Sequence, residues 1–299
     1  MKNIKNYAEE VKDVVEKITG MEARIVQRLD NNGEQRTGIT IVNPDSNISP
    51  IVYLTELDTN RPINETASGI ISVLQQNQKP DFDFEIDQFT DFKQAKNRII
   101  MCLINKEKNA ELLKDMPHID VAENLSIIFY YNVKNNGGQS NIKILNDHLQ
   151  SCWSGRVTVN DLYKAAKINT PNIYPAEILS MSAYISGITG DLVPDTGLYI
   201  MTNRQKFSGA AVVFYPRVCD EFCSMHDCDK LIILPSSIHE LLIYPVKPAD
   251  NINEMAAGYT ALVKEVNVSG SVEPNDFLSD HVYLYDRLTK EITMLHTEK

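Results

Sequence analysis

The stretch Lys230-Leu-Ile-Ile-Leu-Pro-Ser-Ser-Ile-His-Glu-Leu-Leu-Ile-Tyr-Pro-Val246 decides how the rest of the chain is read. Two nearly continuous apolar runs, residues 231–234 and 238–244, flank the break Pro235-Ser236-Ser237. Short runs rich in Ile and Leu and bounded by Pro predict core strands covered on both faces. His239 and Glu240 fall inside the second run. A polar group buried there without a partner costs about 1–3 kcal/mol, so the fold has to supply partners for both.

Working outward, residues 198–202 and 209–214 read as strands across the Asn203-Arg204-Gln205 turn, and 216–225 as a helix. Residues 253–266 form a further helical pattern, and 282–285 with 291–295 a closing hairpin. The order ββαββαββ predicts a mostly antiparallel sheet with helices packed on one face. The segment 187–197, carrying two glycines and Pro194, is the expected boundary between an N-terminal lobe, 1–190, and a C-terminal lobe, 191–299. In the N-terminal part, an apolar stripe over 4–19 stops at Gly20, and a hairpin joins 23–29 to 37–42 across Asp30-Asn31-Asn32-Gly33. Helices are expected over 64–76, 91–103 and 176–185, with another opened by Thr158, and a strand over 125–133. Residues 81–87 alternate strictly, setting Asp81, Asp83, Glu85 and Asp87 on one face. Four carboxylates on a strand can ligate a metal, but the pattern reads first as the wet face of a half-buried strand. The class expected is α+β, with mostly antiparallel sheets, helices on one face and two lobes.

Composition narrows the function classes. The chain has 299 residues, 43% hydrophobic and 23% charged, with a net charge of −11. Such a surface repels phosphate backbones, so direct nucleic-acid binding is not expected. The converse role, an acidic mimic of nucleic acid aimed at a basic defence or recombination protein, stays open. No apolar stretch approaches the ~18–20 residues of a membrane span, and the first residues lack an export signature. Five cysteines in such a chain point to reduced thiols and a cytoplasmic protein.

Few residues carry recognisable chemistry. Cys219-x3-Cys223-x2-His226-x-Cys228 has the residue types of a zinc site. Against that, Cys219 and Cys223 stand one helical turn apart, where buried thiols pack as small core residues, and no second paired cluster exists. His239, Glu240 and Ser237 could serve hydrolysis, which needs a serine oxygen within ~3 Å of an imidazole oriented by an acid. Adjacent strand residues point to opposite faces, so His239 and Glu240 cannot form that relay together. We read the pair as fastening the sheet to a loop by hydrogen bonds. His118 with Asp120, Asp147 with His148, and Asp280 with His281 are further pairs of the kind that cap turns. Arg204 and Lys206 make a basic hairpin tip. No phosphate-binding glycine loop, dinucleotide fingerprint or metalloprotease helix is present, and no cofactor is expected.

A spaced set of segments carries a resemblance. It includes Asn47-Ile-Ser-Pro50, Asn105-Lys-Glu-Lys-Asn109, Pro117-His118, Asn169-Thr-Pro171, Leu198-Tyr-Ile-Met-Thr-Asn203 and Leu234-Pro-Ser-Ser-Ile-His-Glu240. Together these resemble an uncharacterised family, a domain of unknown function found in anaerobic Gram-positive bacteria. The resemblance implies no activity, cofactor or catalytic residue. The expectation is therefore a cytoplasmic, non-enzymatic interaction or accessory protein, acting on a protein partner through an acidic surface or a groove beside the late sheet. The alternative is a hydrolase-like enzyme centred on His239 and Glu240.

Overall fold

The computed structural model describes residues 3–42, 50–76, 86–135 and 138–296. The chain divides into two compact units, residues 1–83 with 134–138, and residues 84–133 with 139–299. The segment 187–197 lies within the second of these. Helices and antiparallel sheets alternate without segregating by type, and the class is α+β.

The first unit holds α1 (Ile4–Thr19), β1 (Ala23–Leu29), β2 (Gln35–Ile41), β3 (Val52–Leu54) and α2 (Ile63–Gln76). Gly20 ends α1 as expected, at a positive φ of 69° and with its N–H on Glu16 O at 2.8 Å. The Asn31-Asn32-Gly33 turn sets β1 against β2 from Ala23↔Ile41 to Leu29↔Gln35, and β3 completes a three-stranded antiparallel sheet. Tyr7, Val11 and Val15 of α1 pack with Ile70 and Leu74 of α2 and Ile39 of β2 to form the core.

The second unit begins with α3 (Ile86–Thr90), α4 (Phe92–Ala95), β4 (Ile99–Asn105), α5 (Ala110–Lys114), β5 (His118–Ala122) and all but the adjoining ends of β6 (Leu125–Asn135) and β7 (Gly138–Lys143). The carboxylate-bearing strand expected over 81–87 lies outside the described residues up to 85, and Ile86 and Asp87 open α3. The helix expected over 91–103 is overturned: α4 is short, and all of Ile99–Asn105 is a buried strand. A continuous apolar run cannot by itself be told from a buried helix, and here pairing with β6 decides it.

β4 is the edge of its sheet, in the order β4-β6-β5 with β7 also on β6. Its open side is sealed by α6 (Val159–Ile173), which starts at a capping box between Thr158 and Asp161. Asn169 Nδ2 donates to Lys96 O and Ile99 O at 2.7 and 3.0 Å, and Met101 N–H donates to Thr170 Oγ1 at 3.1 Å. Unpaired edges otherwise invite strand addition, so these side chains replace the missing neighbour.

The remaining elements are β8 (Ala176–Ser180), α7 (Met181–Thr189), β9 (Tyr199–Asn203), α8 (Val218–Met225), β10 (Lys230–Ser237), β11 (Glu240–Pro245), α9 (Ile252–Val268), β12 (Tyr283–Asp286) and β13 (Glu291–Met294). A six-stranded sheet runs β13-β12-β10-β11-β9-β8, and its described pairings are antiparallel. Two expectations change here. Residues 176–185 are not one helix: Ala176–Ser180 pair with β9, and Ser180 then caps α7. Residues 209–214 are not a strand but a tight helical turn whose Gly209, Ala210, Ala211, Val212 and Val213 are buried. Among the described residues no helix is long and apolar enough to cross a membrane.

Candidate functional site

The opening stretch is a hairpin, but its turn falls two residues later than the break at Pro235 suggests. β10 runs through Pro235 to Ser237, and Ser237 pairs with Glu240 across a register shift. β12 pairs with β10 only as far as Ile233↔Tyr283, so Pro235 lies where the strand has a single neighbour and its missing N–H is tolerated. Ile238 and His239 form the tip. His239 and Glu240 are therefore half-exposed at a corner and not buried within a strand, which corrects the sequence expectation.

His239 is held through its ring, its carbonyl and its N–H. Its Nδ1 accepts the Ser208 N–H at 3.2 Å, which leaves the ring proton on Nε2, 3.3 Å from Asp276 Oδ1. Its carbonyl accepts Thr202 Oγ1 at 2.7 Å, and its own N–H donates to Ser237 Oγ at 3.0 Å. Ile238 adds two backbone bonds, donating to Asp276 O at 2.8 Å and accepting the Ala210 N–H at 3.1 Å. Ser237 thus braces the turn, and the Ser208 hydroxyl bonds the buried Cys102 thiol, which burial pushes up to about 12. Glu240 opens β11, and its side chain makes no hydrogen bond among the described residues. Ser208 and Asp276 are the partners that sequence reasoning missed. Only the positive φ of Ser208, 48°, marks it structurally, and no local pattern ties either residue to His239.

The thiol cluster does not converge. Cys219 Sγ donates to Val213 O at 3.4 Å, while the free Cys223 and Cys228 thiols share a hydrogen bond. Burial pushes the Cys219 thiol up to about 12 and raises those of Cys223 and Cys228. His226 packs against Phe222 and Tyr199 at ring separations of 4.2 and 4.6 Å. Among the described residues no three His, Cys, Asp or Glu side chains are arranged to hold a metal ion. His118 and His148 are engaged locally, with Met116 O at 2.9 Å and the Leu145 N–H at 3.0 Å from their Nδ1 atoms.

Beside the same hairpin lies an apolar groove of about 150 Å³. Its floor is Leu234, Pro235 and Leu242, and its walls are Met181 of α7 and Leu262 and Val266 of α9. Asn267, at one end, donates its amide hydrogens to Ser279 O and Asp280 Oδ1 at 3.1 and 2.8 Å. Leu262 is 42% exposed, and the flanking helices leave Ile188 and Val268 exposed at 68% and 88%.

A family model described as a family of unknown function, DUF5688, matches residues 3–287. The chain belongs to the DUF5688 family. No curated protein and no solved structure matches it. The match spans the His239 corner and the groove of this DUF5688 member, and gives neither a role.

Proposed function

We propose that the protein is a non-enzymatic accessory protein that receives an amphipathic, basic helix of a protein partner in the groove between α7 and α9. The groove itself carries this reading: a concave strip whose lining is apolar except for Asn267, with Leu262 at its lip. A helix laid in such a groove anchors through residues spaced three and four apart. The net charge of −11 favours a basic partner by steering its approach. The test is capture from native host lysate by the full chain and by Leu262→Asp, with melting of both recorded. The expected result is a protein retained by the wild type and lost by the variant at unchanged Tm. Equal retention by both, or none by either, would sink the reading.

The alternative, a hydrolase centred on His239, is favoured by the Asp276 contact alone. It requires Nδ1 to exchange the Ser208 N–H for a hydroxyl, since neither Ser237 nor Ser208 presents its oxygen to the ring. Ester turnover that disappears in His239→Gln at unchanged Tm would favour it over docking.

A further inference from the structure

A separate cavity of about 260 Å³ opens among α6, the 209–214 turn, the start of α8 and the β12–β13 hairpin. Val213, Cys219 and Tyr285, all buried, line its depth. Three cations, Lys167, Arg217 and Lys290, and one carboxylate, Asp220, stand around it. The chain as a whole carries 29 Lys and Arg against 40 Asp and Glu, so the cavity reverses the protein's charge balance.

The cations are not equivalent. Lys290 Nζ and Tyr285 OH both meet Asp220 Oδ1, at 2.5 and 2.7 Å, which fixes the carboxylate and keeps the ammonium at the rim. Arg217 pairs with Glu221 at 3.0 Å but keeps a largely exposed side chain. Lys167 lies over the Tyr163 ring at 5.2 Å and has no carboxylate partner among the described residues. Arg217 also precedes the first turn of α8 at a positive φ of 66° and gives that turn no side-chain cap. The turn it leaves uncapped includes Cys219 and Asp220, which line the cavity, so the positive end of the helix faces it, offset by Asp220 and Glu221 in the same turn.

We propose that this cavity binds a small organic phosphate monoester, with its phosphate between Lys167 and Arg217 and its hydroxyl-bearing body against Tyr163 and Asp220. A phosphate presents several acceptor oxygens, so it can engage Lys167 and the planar fork of Arg217 together, although Glu221 already holds one Arg217 nitrogen at 3.0 Å. The volume falls just below the ~300–1,000 Å³ usual for pockets that take drug-sized ligands, which suits a ligand of sugar size. The tethered Asp220 accepts hydroxyls and repels a second anionic group, so a monophosphate is favoured over a bisphosphate.

The full chain is titrated calorimetrically at low salt with ribose 5-phosphate, inorganic phosphate and ribose. Wild type is compared with Lys167→Gln and Arg217→Gln, and melting curves verify that each variant folds. Saturable binding of ribose 5-phosphate is expected, tighter than inorganic phosphate and absent for ribose. Each variant should weaken it about tenfold at unchanged Tm. No saturation, or an affinity unchanged in both variants, would overturn the proposal. Inorganic phosphate binding as tightly as ribose 5-phosphate would overturn the assignment of an organic body.

Discussion

At the scale of single residues, His239 works through its backbone as much as through its ring. Its carbonyl faces Thr202 Oγ1, and Gly209 passes directly beside that bond. A Cβ at position 209 would overlap both His239 O and Thr202 Oγ1 and come within 2.9 Å of Asn203 N. Two of those neighbours are backbone, and the Thr202 hydroxyl is committed to His239, so none can yield cheaply. Gly209→Ala should therefore destabilise the protein by about 2–3 kcal/mol or more, read as a fall in the urea midpoint. A variant that melts with wild type would show that the corner is not packed as described. The sequence made His239 legible as a polar residue that needs partners. It could not show which ones, because Ser208 and Asp276 reach it only through the tertiary fold. Nor could it give the reason for Gly209, whose constraint is an approach between segments and not a turn of its own.

At the scale of elements, the segments behind the family resemblance are largely corners and edge seals where the structure describes them. Asn105 takes the Lys108 N–H at 2.8 Å on its Oδ1 and donates to Leu278 O at 2.9 Å, while Asn109 donates back to Asn105 O at 2.8 Å. Asn203 closes the loop to Phe207 in the same manner, with bonds of 2.6 and 3.2 Å. Asn169 and Thr170 hold α6 on the open side of β4. That last contact is testable because valine copies the shape of threonine without its oxygen. Thr170→Val would leave the buried Met101 N–H unpaired, at about 1–3 kcal/mol, whereas loss of Thr170's bond to Ala166 O inside the helix should cost little. Denaturant unfolding should show the loss, and amide exchange at Met101 should quicken before its neighbours; exchange at the wild-type rate would refute the edge seal. The hairpins and amphipathic helices were legible because a turn signal or a stripe of period 3.6 is local information. Of the misread stretches, 99–103 and 209–214 are continuous apolar runs with no period of their own, and 176–185 mixes Glu177, Ser180 and Ser182 into a short apolar run. Their state was set by neighbours: β6 for β4, β9 for β8, and the His239 corner for the 209–214 turn.

At the scale of the whole molecule, acidity should weaken the fold in two separated windows. His148 and His226 both have pKa values lowered from 6.5, chiefly because burial penalises the charged ring. His148 sits against Phe89 at 5.0 Å with Nδ1 accepting the Leu145 N–H, so protonation also removes an acceptor. Lys247 adds repulsion at His226. For a folded pKa below the unfolded one, the unfolded chain binds more protons, so stability is complete above pH 6.5 and declines as the pH falls towards the folded values. Asp120, Asp161 and Asp220 have the same sign at lower pH. Lys106 acts first at Asp120, Thr158 at Asp161 and Lys290 at Asp220, holding each below 3.8. Their contribution is intact above that value and is lost as the pH falls through the folded values. Urea midpoints should accordingly begin to drop as the pH falls below 6.5, and drop again as it falls below 3.8. The double variant His148→Gln, His226→Gln should flatten the first drop and leave the second in place. A first drop of unchanged depth in that variant would move its origin to the remaining titrating groups and sink the assignment. A missing second drop would show that the Lys106, Thr158 and Lys290 contacts are too weakly held to bias their carboxylates.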